Sequence, residues 1–166
     1  MIDLKLLLTD GSVICLIVGA LVAVSFCWRP RIWLRDLPRD IQEMAAPMTP
    51  GERRSVAIIG LLIVGMLFSG VVISTLRFGF AHGVLAALLH AYLIFQLFNL
   101  FDLVVLDWGM MMLIDPARPP IAGSENARGY RDFGFHAIKS LKGVVLGAPF
   151  AAMATGAAWL AAFFMG

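Results

Sequence analysis

The sequence predicts an all-α, polytopic membrane protein: four transmembrane helices in an antiparallel bundle, with two cytoplasmic loops and both termini outside. Three observations carry that prediction. Of the 166 residues, 60% are hydrophobic and 14% charged, whereas an average soluble domain carries about 25% charged residues. A soluble fold this apolar lacks the polar surface to cover itself. The stretches 11–28, 55–76, 78–101 and 143–166 contain no Asp, Glu, Lys or Arg, and about 20 predominantly apolar residues cross a hydrocarbon core of roughly 30 Å as a helix. Lastly, none of these runs alternates as a lipid-facing strand would, and a helix satisfies its own backbone hydrogen bonds. The chain therefore reads as a single transmembrane domain, with spans at about 11–28, 55–76, 80–106 and 143–165 and loops at about 29–54 and 107–142.

The first span has the flanks of a retained helix rather than of a signal peptide. Asp3 and Asp10 stand where a positive segment would be, and the arginines follow the apolar run instead of preceding it. Cys15 and Cys27 lie twelve residues apart in this span, roughly 18 Å along a helix rising about 1.5 Å per residue, so they cannot pair. They read as small buried hydrophobes.

The basic residues set the topology. Arg29, Arg31, Arg35, Arg39, Arg53 and Arg54 fall between spans one and two, and Arg118, Arg128, Arg131, Lys139 and Lys142 between spans three and four, leaving Lys5 and Arg77 on the other side. Lys and Arg in short loops are retained in the cytoplasm, which puts both long loops there. In the first loop, Ile32, Trp33, Leu34, Leu37, Ile41 and Met44 interleave with arginines, the composition of a segment lying on a membrane surface. Thr49, Pro50 and Glu52 form a capping box that opens the second span.

The connection "RFGFAHG" is short enough to make spans two and three neighbours. In span four, Gly143, Gly147, Ala151 and Thr155 form a row at four-residue spacing, and Ala148, Ala152 and Gly156 form a second. Small residues so spaced let helix backbones approach closely in lipid. Packing within the chain is the first use expected of them, and a homo-oligomer the second.

The residues with chemical potential gather where span three ends, in "FNLFDLVVLDWGMMM". An Asp at the centre of a membrane helix costs about 2.5 to 3.5 kcal/mol on insertion scales. Depth relieves this: about 20 residues after Gly83, Asp102 reaches the inner edge of the hydrocarbon and Asp107 the headgroup zone beside Trp108. At about 100° per residue the two acids are separated by roughly 140° and do not share a face. Asn99 lies between them, and Tyr92 and Gln96 extend a polar stripe that should face the interior. His90 and His82 read as histidines hydrogen-bonded to a neighbouring helix.

The second loop supplies possible partners for the acids: Asp115, Arg118, Glu125, Arg128, Tyr130, Arg131, Asp132, His136 and Lys139. Asp132 and His136 are one helical turn apart, a spacing that would orient the imidazole. The expected binding set is thus Asn99, Asp102, Asp107, Arg128, Arg131, Asp132 and His136, with Asp107 and His136 the candidates for acid–base work. For the carboxylates the alternative is a structural ion pair that fastens the loop to the helices. No ligands at recognisable metal spacing occur, and no cofactor is predicted. The expected partners are the bilayer, anionic lipid headgroups held by the loop cations and a second copy of the chain, with nothing pointing to nucleic acid.

Three segments, "LPRDIQ", "FNLFDLVVLDW" and "GYRDFGFHAIKSLKG", together resemble a group of uncharacterised small bacterial integral membrane proteins with four spans and two cytoplasmic loops. The resemblance covers most of the chain. It implies residence in the bacterial inner membrane and no particular activity, and Asn99, Asp102, Asp107, Trp108, Asp132 and His136 match its motif positions. The paired aspartates of the alcohol phosphotransferases, a nucleotide-binding glycine loop and the first-span Glu of small multidrug transporters are all missing from the sequence.

The reading that follows is a non-enzymatic binding, transport or accessory protein with a polar cluster at the cytoplasmic membrane interface. Its alternative is a membrane enzyme acting there on a lipid or lipid-linked substrate, with Arg128 and Arg131 holding a phosphate. Proton-coupled transport along Tyr92, Gln96, Asn99 and Asp102 ranks below both, because Asp102 sits at one edge of the membrane.

Overall fold

Four helices long and apolar enough to cross a membrane account for most of the chain: Leu4–Trp28, Pro50–Phe78, Val84–Leu113 and Phe133–Met165. This is the make-up of a multi-pass membrane protein. The computed structural model describes residues 2–165, and no strand occurs among them. Each helix outruns the apolar stretch that announces it, because polar caps and flanking turns extend it beyond the bilayer-compatible core.

Helix α1 (Leu4–Trp28) starts at Asp3, whose carboxylate accepts from the Leu6 amide at 3.0 Å. A 3-10 turn, Pro30–Asp36, and the short α2 (Arg39–Met44) follow. Helix α3 (Pro50–Phe78) opens on the expected capping box of Thr49 and Glu52. Glu52 has a second task, since Arg31 Nε donates to it at 2.6 Å while the same guanidinium reaches the Ala46 carbonyl at 3.0 Å. Gly79 (φ 73°) and Gly83 (φ 88°) turn the chain within five residues into α4 (Val84–Phe101), both in a conformation that costs glycine no Cβ clash. The helix continues through Asp102–Trp108, wound as a π-helix, and ends in α5 (Gly109–Leu113). After a turn-rich loop and a 3-10 turn at Arg128–Arg131, α6 (Phe133–Met165) completes the fold.

Helices α3 and α4 pack on each other and each packs on both α1 and α6, while the backbones of α1 and α6 do not approach closely among the described residues. The pair α3–α4 therefore forms the middle of the fold. Its core joins Val18 of α1, Val71 of α3, Ala91 and Ile94 of α4 and Ala151 and Ala154 of α6. Apolar burial supplies little drive between helices in lipid, so close packing and hydrogen bonds decide the fit. The α4–α6 seam shows both. Asn99 Nδ2 donates to the Ser140 carbonyl at 3.1 Å, and Tyr92 OH and Gln96 Nε2 donate to the Val144 carbonyl at 3.2 and 3.4 Å. These side chains lie over Gly143 and Gly147: a Cβ on Gly143 would stand 3.0 Å from Asn99 Cγ, and one on Gly147 2.8 Å from the Phe95 ring. Of the two small-residue rows, the one through Gly147, Ala151 and Thr155 is buried, while Ala148, Ala152 and Gly156 are exposed. The polar stripe of α4 faces inward, as its phase predicted.

The first loop departs from expectation. Leu34, Leu37, Ile41 and Ala45 do not line one face for a membrane surface but pack with Ile121, Ala127 and Tyr130 of the second loop into a small separate core. Outside the apolar spans, burial of each such side chain contributes about 1.5 to 3 kcal/mol, which outweighs lying on headgroups. Asp40 pins the two loops together by accepting from the Gly129 amide at 2.7 Å.

Gly129 has no room for a side chain, since a Cβ would stand 2.7 Å from Pro38 Cβ and closer still to the Asp40 carboxylate. Gly129→Ala is expected to separate the loops and lower stability by about 1 to 3 kcal/mol, through one lost charge-assisted hydrogen bond and local overpacking. Thermal unfolding in detergent reads this directly. An unchanged melting temperature would show that the loops are not held here.

Candidate binding site

The site begins with a change of winding. From Asp102 to Trp108 the backbone pairs i→i+5, an arrangement that recurs at functional positions in helices. Residues five apart then stand over one another, which brings Asp102 and Asp107 to the same cavity. The separation of roughly 140° that an α-helix would impose does not apply, and the expectation that the two acids occupy different faces is corrected. Two contacts to α6 accompany the altered winding: Trp108 Nε1 donates to the Phe133 carbonyl at 3.2 Å, and Asp107 Oδ2 lies 2.9 Å from His136 Nδ1. Val104 and Val105, on the outer side, are exposed.

Asp102 and Asp107 line a cavity of about 210 Å³ together with Asn99, His136, Lys139 and Ser140. The π segment and α6 supply most of its polar wall, Val22 and Phe26 of α1 close one side, and Trp33, Asp36 and Tyr130 come from the loops. His136 has 5% of its side chain exposed. Its approach to Asp107 is close but off the line of a directed hydrogen bond, and its Nε2 is buried without a partner. Lys139 Nζ sits 3.1 Å from Asp36 Oδ1 and 3.2 Å from the Asp36 carbonyl. Tyr130 shares a 2.8 Å hydrogen bond with Ser124, and burial raises the pKa of its hydroxyl, so it faces the cavity uncharged. Among the described residues, no hydrogen bond or ion pair holds the Asp102 carboxylate.

Of the seven residues expected to bind, Asn99, Asp102, Asp107 and His136 converge on this cavity and three do not. Asp132 caps α6 by accepting from the Phe135 amide at 2.9 Å, so it is Asp107, not Asp132, that stands beside the imidazole. Arg131 donates to the carbonyls of Met111 and Ile114, which ties down the end of α5. Arg128 is exposed on the loop.

Asp36, Lys139 and Ser140 line the cavity from outside the expected binding set, although Lys139 was among the possible loop partners of the acids. For the last two a signal existed: His136, Lys139, Ser140, Gly143 and Gly147 recur at three- and four-residue spacing, one face of a helix that starts before the apolar run. No family model, curated protein or solved structure matches the chain. The chemistry of the cavity is therefore read from its own residues.

A second polar cluster occupies the opposite end of the helices. Asp10 of α1 is buried and pairs with Arg77 of α3. Ser74 meets His90 Nε2 at 2.9 Å, and Phe78 stacks on the same imidazole at 4.6 Å. His90 is thus bonded to a neighbouring helix as expected. His82 is exposed in the turn, where it packs against Phe78 at 6.1 Å and no hydrogen bond holds it among the described residues.

The winding makes a prediction. A π segment carries one more residue than an α-helix needs for the same phase, so deleting Val105 returns the ladder to i→i+4 and keeps Asp107 over His136. Inserting an alanine between Val104 and Val105 instead turns everything beyond by about 100°. With Asp107→Cys and His136→Cys, a short bis-methanethiosulfonate cross-linker should join the pair in the parent and the deletion, and not in the insertion. Loss of cross-linking in the deletion would count against a phase-neutral π turn.

Proposed function

We propose that the protein is a non-enzymatic binding protein of the cell membrane, an antiparallel four-helix bundle that holds a small ligand at its cytoplasmic interface. The reading rests on one observation: Asn99, Asp102 and His136 meet at one cavity, where both ring nitrogens of His136 are buried without a hydrogen-bond partner. Buried polar groups left unpaired cost free energy, and a ligand that pairs them recovers it. Orientation follows the basic residues, which gather in the two long loops and make these cytoplasmic, with both termini outside. The resemblance of three motifs to small bacterial membrane proteins supports the inner membrane as the location.

The enzymatic alternative has one observation in its favour, the approach of Asp107 to His136 with Nε2 left open in a cavity. Against it, Arg128 is exposed and Arg131 is engaged by backbone carbonyls, so neither cation is placed to hold a phosphate. Turnover of a phospholipid extract that disappears in His136→Gln would favour the enzyme.

Native mass spectrometry of the protein in mild detergent tests binding: a retained small mass is expected in the wild type and its loss in Asp102→Leu. A wild type that carries no such mass, and gains no thermal stability from a membrane extract, rejects the proposal. Topology has its own test in a chain carrying Cys15→Ser and Cys27→Ser. An impermeant maleimide should label His82→Cys on intact cells and reach Arg128→Cys only after permeabilisation, and the opposite pattern inverts the topology.

A further inference from the structure

Most donors around the cavity are already taken. Lys139 Nζ is held by Asp36 at 3.1 Å, and Asn99 Nδ2 is held by the Ser140 carbonyl at 3.1 Å and Gln96 Oε1 at 3.2 Å. Trp33 Nε1 donates to Ser25 Oγ at 3.2 Å, and Tyr130 OH is bonded to Ser124. The groups left open are the Ser140 hydroxyl and a larger set of acceptors. The Asp102 carboxylate and Asn99 Oδ1 accept no hydrogen bond from any described residue. His136 Nε2 is buried without a partner, and a carboxylate 2.9 Å from Nδ1 favours the proton on that nitrogen, which leaves Nε2 its lone pair.

Charge points the same way. Lys139 balances Asp36, and a His136 that keeps its Nε2 lone pair is neutral, so the Asp102 and Asp107 carboxylates have no cation of their own. Beside Asp102 stand Phe26 and Trp33, with Leu103 and Met110 completing an apolar wall. Aromatic faces attract cations, and apolar side chains take an alkyl stem. Two carboxylates without a cation of their own repel an anion here. Among the described residues, no group of three or more His, Cys, Asp and Glu is arranged to hold a metal ion, so an organic cation fits better than an inorganic one.

We propose that the cavity binds a protonated primary amine on a short alkyl stem, its three N–H donors directed to Asp102, His136 Nε2 and Asn99 Oδ1. This rests on the binding reading above and specifies its ligand. The cavity, about 210 Å³, suits a headgroup-sized moiety rather than a whole drug-sized molecule, for which pockets run about 300–1,000 Å³. A free alkylamine and the ethanolamine end of a phospholipid present the same R–NH₃⁺.

The test uses the full chain in detergent and three probes of equal stem length, followed by calorimetry and thermal shift. n-Butylammonium should bind saturably and raise the melting temperature. n-Butyltrimethylammonium, with the charge but no N–H, and butyrate, with the charge reversed, should bind at least roughly ten-fold more weakly. Asp102→Asn should weaken n-butylammonium by roughly ten- to a hundred-fold. The probe series on the wild type decides the matter even if that variant does not fold.

Equal or tighter binding of the quaternary probe or of butyrate overturns the amine assignment and leaves the binding reading standing. Silence of all three probes, in a protein that carries no bound mass, removes both. Nanodiscs separate the sources. If the lipid headgroup is the ligand, phosphatidylethanolamine discs should melt higher than phosphatidylcholine discs and weaken n-butylammonium by competition. Equal affinity in the two discs identifies the free amine.

Discussion

Everything near the loops depends on how α4 grips α6. Tyr92, Gln96 and Asn99 place their polar ends on the carbonyls of Ser140 and Val144, and this works only because Gly143 and Gly147 leave space for them. Each such bond contributes modestly in a membrane, on the order of 0.6 kcal/mol. Three on one seam, with glycines beneath, allow a single rotation of α6 about its axis. That rotation points His136 and Lys139 at the π segment instead of at lipid. A different residue at Gly143 or Gly147 would move the seam apart and the cavity wall with it.

The loops complete what the helices begin. Their small core around Ile41, Ile121 and Tyr130 lies outside the apolar spans and is stabilised by ordinary hydrophobic burial. It brings Tyr130 and Asp36 to the cavity, and Asp36 keeps Lys139 from neutralising Asp102. Arg131 and Asp132, which look in sequence like ligand residues, fix the ends of α5 and α6 instead. Charges that seem available for chemistry are thus used to hold the frame.

The four long helices were legible because each carries an uninterrupted apolar run, and the capping box at Thr49 and the inward stripe of α4 were legible because both follow local spacing. The site was half legible. Asn99, Asp102, Asp107 and His136 could be picked out as polar residues in apolar company. Their geometry could not, because nothing in "DLVVLDW" marks a π turn: it holds no Gly or Pro, and the altered winding accompanies contacts that Asp107 and Trp108 make with α6. For His136 local spacing offered Asp132 and the structural ion pair offered Asp102 or Asp107, and the long-range contact with Asp107 prevails. The apolar residues of the first loop were read against a membrane because their true partners lie some eighty positions later in the chain.

Among the described residues the backbones of α1 and α6 nowhere approach closely, and both helices line the cavity. One wall, with Val22 and Phe26, belongs to α1, while His136 and Lys139 belong to α6. A small tilt of α1 would therefore change the width of this cavity without breaking the α4–α6 seam.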